Sequence, residues 1–270
     1  MNGIVLMNKG RGMKSFQKHW GPIPEMAPYV MGLLMAIGLK YLYSRSTCED
    51  LFWILGPTAY LVEWISGVPF YYDASAGFVN VSQGIAIAPA CSGVNFLIIA
   101  LIMSFFSFAC HYKRTGRWVW LFFSLFCSYV LTLWVNSLRI FVSIETIAHG
   151  IQMGWLTPER IHRLEGVVVY FFCLSLFYLG MKGVTAIHDR LKKIHPPRKP
   201  WAGPNMVPLA WYILMVLIVP VLTGNYRDQG GRFVEHGIMV VACCSAVIVL
   251  FYVIPRLFFL PVIGWRGGKK

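Results

Sequence analysis

Three side chains in this sequence have the types that nucleophilic acyl chemistry uses: Cys91, Arg139 and His162. A thiolate attacks a carbonyl carbon. A histidine carries the proton between thiol and leaving amine. An arginine, which cannot lose its charge, stabilises the oxyanion or orients the substrate. Each residue also has a plainer reading. Cys91 packs as a small hydrophobe. Arg139, at the edge of an apolar run, snorkels to lipid phosphate. His162 is an ordinary loop histidine, and His149 is a rival base nearby. The local sequence around Cys91 fits the chemical reading, and what shifts the balance toward it lies further along the chain. Pro89 breaks any helix begun upstream, Ser92 and Gly93 follow the cysteine, and the chain is then apolar through Ala109. Pro89 and Gly93 predict a tight entry into a membrane helix with Cys91 at its N-terminal mouth. Unpaired N–H groups and the helix dipole favour an anion at such a mouth.

Composition sets the elements that must position these residues. Of 270 residues, 57% are hydrophobic and 13% charged. This composition, with several long apolar runs, predicts an all-α, multi-pass transmembrane bundle of about seven to eight spans. The net charge of +13 sits in short clusters between the runs. That is the positive-inside pattern rather than a nucleic-acid surface. The seven cysteines (Cys48, Cys91, Cys110, Cys127, Cys173, Cys243 and Cys244) show no CxxC spacing. They imply neither a disulfide framework nor a metal site. HExxH, P-loop, GxSxG and GxGxxG patterns are absent, and no cofactor is implied.

The chain divides into a basic segment over 1–27, a membrane core over 28–182, a basic cytoplasmic loop over 183–206, and two further helices with a basic tail over 207–270. Residues 1–27 lack the apolar core of a cleavable signal peptide. Helices are predicted at 28–43, 51–65 (with Pro57 and Glu63), 92–109, 118–135, 167–181, 207–223 and 238–259. Residues 67–84 read as a loop with an extended ribbon at 77–81. The fourth apolar run continues past Asn136 to Ile147, too long for one crossing. A helix end or bend is therefore expected near Asn136, with Arg139 at the membrane boundary. His162 falls in a polar loop over 149–166, within which Thr157-Pro158-Glu159 reads as a helix start. The basic loops at 111–117 and 182–200 and the basic C-terminus all fall in the cytoplasm, so Cys91, Arg139 and His162 share the outer face. With seven crossings, however, the basic N-terminal segment lands outside, against the rule.

These motifs together resemble the exosortase/archaeosortase family. The matching residues are Ala90-Cys91-Ser92-Gly93, Asn136-Ser137-Leu138-Arg139-Ile140, and His162 with Gly166 four residues on. They occur in the family's order over residues 50–182. The wider run, from Leu55-Gly56-Pro57-Thr58 to Gly67 and Gly84 and through Val94-Asn95-Phe96, is similar to the exosortase K branch. The resemblance implies a membrane-embedded cysteine transpeptidase at the outer face of the inner membrane. Cys91 would be its nucleophile, Arg139 its transition-state or substrate arginine, and His162 its acid/base. Ser92, Gly93, Asn136 and Gly166 would support them. The implied partners are exported proteins with a C-terminal sorting tail, the lipid bilayer, and a lipid or polysaccharide acceptor, with no nucleic acid. Such a tail carries a short motif, a membrane helix and a basic end. A non-catalytic transporter, with Arg139, Glu63 and Glu145 as pathway charges, or an assembly factor with a dead site, is the rival reading. No inverted repeat supports the transporter.

Overall fold

The computed structural model describes residues 23–82, 84–149, 158–192, 206–222 and 231–264. Helices stand where the apolar runs predict them: α1 Ile23–Arg45, α2 Phe52–Ser66, α3 Val94–Phe108, α4 Arg114–Ala148, α5 Pro158–Leu191, α6 Val207–Leu222 and α7 Gly231–Gly264. Between α2 and α3 lies a three-stranded antiparallel meander of β1 Tyr71–Asp73, β2 Gly77–Asn80 and β3 Ile85–Ile87. β2 is the ribbon expected at 77–81. Among the described residues, five helices (α1, α3, α4, α5 and α7) are long and apolar enough to cross a membrane. The protein is an all-α, multi-pass membrane bundle.

α3 is the hub. Its residues are buried almost all round, whereas α1 exposes Leu33, Leu34, Ile37 and Leu42. Lipid tails are as apolar as leucine, so close packing rather than water exclusion holds such a bundle. Phe96, Phe105, Phe171 and Leu174 fill the contact of α3 and α5. Gly32 lets α1 approach α3, because a Cβ there would sit 2.9 Å from the Phe105 ring. A second core joins Ile54, Leu55 and Val62 of α2 to Ile87, Val94, Ile98, Ile140 and Ile144. Along α4, the residues Ser124, Ser128, Thr132 and Asn136 are fully buried at four-residue spacing. Small polar residues of this kind let membrane helices come close.

Contacts between helix ends fix the topology. Arg117 near the start of α4 donates to the Glu25 carbonyl at 3.1 Å, so α1 begins at the face of Lys113, Arg114 and Arg117. Lys40, toward the other end of α1, donates to Asn95 at 2.8 Å beside Cys91. Tyr112 lies 4.9 Å from the His188 ring, bringing the end of α5 to the same basic face. At the opposite face, Arg160 pairs with Glu235 at 2.7 Å, joining the starts of α5 and α7.

α2 does not carry the chain across. The Thr47–Asp50 turn leads into it, with Thr47 N and Oγ1 both 2.9 Å from Asp50 Oδ2. Next in that turn, Cys48 Sγ lies 3.7 Å from the Ser75 carbonyl of the β1–β2 turn. Gly67, left-handed at φ +70°, ends the helix and leads straight into the sheet. Both ends of α2 therefore lie at the Cys91 face, and α1 starts at the basic face. With α2 not counted as a crossing, the start of α1 falls on the same face as the other basic segments.

Two expectations about the site helices are corrected. α4 does not end near Asn136 but runs on as one helix of 35 residues. At 1.5 Å per residue that is about 52 Å, well beyond a hydrocarbon core of about 30 Å. His162 does not lie in a loop. α5 begins at Pro158, so His162 is in its second turn. Pro158 supplies that start: its fixed φ and missing N–H suit a first helical position.

Candidate active site

The site is assembled where the turn before α3 meets the upper parts of α4 and α5. Pro89 opens a single 3₁₀ turn, Pro89–Cys91. Cys91 N donates to the Ala88 carbonyl at 2.8 Å, and Ser92 N to that of Pro89 at 3.0 Å. Gly93 then caps α3 at φ +77°. A side chain there would be strained by that conformation. It would also meet α4, because a Cβ would sit 3.0 Å from Asn136 Cγ and 3.1 Å from Thr132 Cγ2. Glycine is thus required twice, for its backbone and for its space. The close approach lets Asn136 Nδ2 donate to the Cys91 carbonyl at 2.6 Å, which ties the cysteine turn to α4. Cys91 itself is half-buried and its thiol is free. Ser92 is fully buried, and its hydroxyl makes no hydrogen bond of good geometry, although the Tyr43 phenol of α1 is its polar neighbour.

Arg139 lies three residues beyond Asn136, on the same face of α4. Its Nη1 donates to the Tyr170 hydroxyl at 3.1 Å and its Nη2 to His162 Nε2 at 2.8 Å. Its Cζ also lies 5.4 Å from the centre of the Tyr170 ring, a cation–π distance. Tyr170 in turn donates to Asn136 Oδ1 at 2.8 Å and stacks on Phe96 of α3 at 4.7 Å. A continuous path therefore runs from the Cys91 carbonyl through Asn136, Tyr170 and Arg139 to His162. Gly166, one turn after His162, is where the guanidinium packs. A Cβ at that position would lie 3.3 Å from Arg139 Nε, which is buried and has no hydrogen-bond partner among the described residues.

Among the described residues, no hydrogen bond joins the Cys91 thiol to His162. Cys91 does lie within Coulombic reach of Arg139, Tyr170 and Tyr43. A guanidinium within Coulombic reach of a thiol has the charge to stabilise an oxyanion produced by attack of that sulfur on a carbonyl. The other ring nitrogen of His162, Nδ1, lies 2.9 Å from Ser143 Oγ.

The rival groups are placed elsewhere. His149 is exposed at the end of α4, with Nδ1 turned to the Glu145 carbonyl at 2.8 Å. It stands ten residues beyond Arg139, about 15 Å along the helix. Glu63 and Glu145 are exposed. No group of three His, Cys, Asp or Glu side chains among the described residues is arranged to hold a metal.

Reading the sequence alone misses Tyr170, Ser143, Glu165 and Tyr43. The first three follow from helical spacing once α4 and α5 are given their true lengths. Tyr43 carries no such signal.

Residues 12–179, more than half of the chain, match the family described as transmembrane exosortase. No curated protein and no solved structure matches the chain. The matched stretch contains Cys91, Asn136, Arg139, His162, Gly166 and Tyr170, and stops short of α6 and α7.

Proposed function

Because this chain belongs to the transmembrane exosortase family, we propose that it is a membrane cysteine transpeptidase acting on exported proteins that carry a C-terminal sorting tail. The observation that carries the reading is the coupling of the three residues: Arg139 is bonded to His162 at 2.8 Å and tied through Tyr170 and Asn136 to the Cys91 backbone. Cys91 Sγ attacks the scissile carbonyl, and its proton passes to His162 Nε2. The C–S bond forms, the C–N bond breaks, and the imidazolium returns the proton to the leaving amine. The thioester is then resolved by water or by a lipid or polysaccharide hydroxyl, whose proton His162 accepts. In the resting site Nε2 is occupied by Arg139. Substrate entry must therefore draw Nη2 from the imidazole to the developing oxyanion, which frees the base as the charge appears.

The test is covalent. The protein is co-expressed with a tailed substrate, quenched in acid and digested. A hydroxylamine-labile adduct is expected on the peptide containing Cys91. An adduct that maps to another cysteine, while tail removal proceeds, would overturn the assignment.

Sidedness follows from charge. The face bearing Lys113, Arg114, Arg117, Lys182, Arg190 and Lys192 belongs in the cytoplasm, and the Cys91 face belongs outside. A tail with a basic end, held by the same rule, then presents its cleavage motif beside Cys91. Single-cysteine variants check this with an impermeant maleimide on intact spheroplasts. Cys110, exposed at the basic face, is expected to stay unlabelled until the membrane is opened. Val81→Cys, after β2 and 87% exposed, is expected to react at once. The reverse order would invert the topology and remove the tail argument.

A further inference from the structure

We infer that Glu165 and Ser143 form a relay that holds His162 in a single tautomer with its basic nitrogen facing Arg139; this rests on the transpeptidase reading above. Ser143 Oγ lies 2.9 Å from His162 Nδ1 and 2.9 Å from Glu165 Oε2. The other carboxylate oxygen, Oε1, accepts from the Thr146 hydroxyl at 2.6 Å. Ser143 is buried.

Donor and acceptor inventory decides the proton positions. Arginine has only N–H donors, so His162 Nε2, which lies 2.8 Å from Arg139 Nη2, must be the acceptor and carry no proton. The neutral ring therefore carries its proton on Nδ1. An ionised carboxylate only accepts, so the Ser143 hydroxyl gives its hydrogen to Glu165. Its oxygen is then left to accept Nδ1–H. Each hydrogen bond along the line Glu165–Ser143–His162–Arg139 Nη2 then pairs one donor with one acceptor, and the reverse tautomer would set two donors against each other at Nε2.

The logic is that of an acid orienting a catalytic histidine, with a serine hydroxyl interposed. Arg139 and Glu165 are the charged groups facing the ring, one from each helix. The spacing that builds the relay is local. Ser143 is four residues after Arg139, and Glu165 three after His162, so each pair shares one helix face. When Arg139 turns to a substrate oxyanion, it no longer defines the state of Nε2. The Ser143–Glu165 side then keeps Nε2 free of a proton, and stabilises the imidazolium once the proton arrives. Ser143 and Glu165 are thus positioning residues that act through His162.

Two measurements on the full-length protein test this. In the first, ¹⁵N-histidine-labelled protein in nanodiscs is examined by long-range ¹H–¹⁵N correlation, with the His162 signal assigned from its loss in His162→Gln. The wild-type ring is expected as the Nδ1–H tautomer. It is expected to remain so in Arg139→Ala, where only the relay is left, and to become a mixture in Arg139→Ala/Ser143→Ala. Release by Arg139→Ala alone, or no release in the double variant, overturns the relay. Should that double variant not accumulate, Arg139→Ala/Glu165→Ala asks the same question. In the second, Ser143→Ala is expected to lower kcat for tail removal by roughly tenfold to hundredfold, in line with lost supporting hydrogen bonds elsewhere. KM should not change, and Ser143→Thr should recover most of the rate. An unchanged kcat in Ser143→Ala overturns the catalytic role. The spectroscopic result needs no substrate, so it stands or falls separately from the transpeptidase reading.

Discussion

Cys91→Ala is expected to abolish tail removal while the protein accumulates in the membrane at its normal level. Loss of the nucleophile from an assembled triad costs a protease about six orders of magnitude. A fall of at least about four orders is expected here, below detection by immunoblot of tail loss. The fold should tolerate the change. Among the described residues the thiol makes no disulfide and no hydrogen bond, and the turn is held through the Cys91 backbone, whose carbonyl accepts from Asn136 at 2.6 Å. Alanine keeps that backbone and removes one half-buried sulfur atom. Cys91→Ser is expected to fall nearly as far. A serine hydroxyl needs a base already free to take its proton, and here His162 Nε2 starts bonded to Arg139. The measurement is a paired one: membrane-fraction abundance of each variant against the fraction of co-expressed substrate that has lost its tail. Normal processing by Cys91→Ala in intact membranes would make Cys91 a packing residue. Arg139 would then be better tested as a substrate-binding charge in transport.

The helices, and the gathering of Cys91, Arg139 and His162 at one face, were legible because lipid imposes simple rules. A crossing needs a long apolar run, and basic residues collect at one side. The same rules account for the errors. Reading the fourth run as one crossing required an end near Asn136, since lipid sets the length of a span. Protein contact relaxes that limit. Beyond Asn136, α4 is packed by α2 on one side, through Ile140 and Ile144, and by α5 on the other, through Ser143 and Thr146. The helix therefore continues where lipid alone would have ended it. Polar Arg160 to Glu165 read as loop for a similar reason. Charges in the first turns of α5 are satisfied by partners on other helices, such as Glu235 for Arg160 and Ser143 and Thr146 for Glu165. Gly166 was legible as a motif, but its purpose was not. Only on a helix does a residue four after the histidine share its face, which is where Arg139 packs. α2 misled through composition: it is apolar, but it is only 15 residues long, and the chain at both of its ends meets the three-stranded sheet.

Arg139→Lys, which preserves the charge, is expected to lower kcat for tail removal by roughly a hundredfold to a thousandfold, the range seen when one oxyanion donor is lost. The reason is geometric. Arg139 uses its planar fork to bond Tyr170 and His162 at the same time, at 3.1 and 2.8 Å, with its plane near the Tyr170 ring. Lysine offers one compact ammonium on a flexible stem and cannot hold both directions. It leaves either Tyr170 or His162 without its donor, because its three N–H groups all leave one nitrogen and cannot span the separate directions that the guanidinium fork covers. The effect should appear in kcat, because the lost interaction forms fully only in the transition state. Gly166→Ala provides a second approach to the same group from the opposite side. Its methyl would press on Nε from 3.3 Å and displace the guanidinium without removing it. A loss smaller than that of Arg139→Lys, again in kcat, is expected. If Arg139→Lys kept its rate to within about threefold, charge alone would suffice. The fork, the Tyr170 contact and the partner exchange at Nε2 would then have no part in the chemistry.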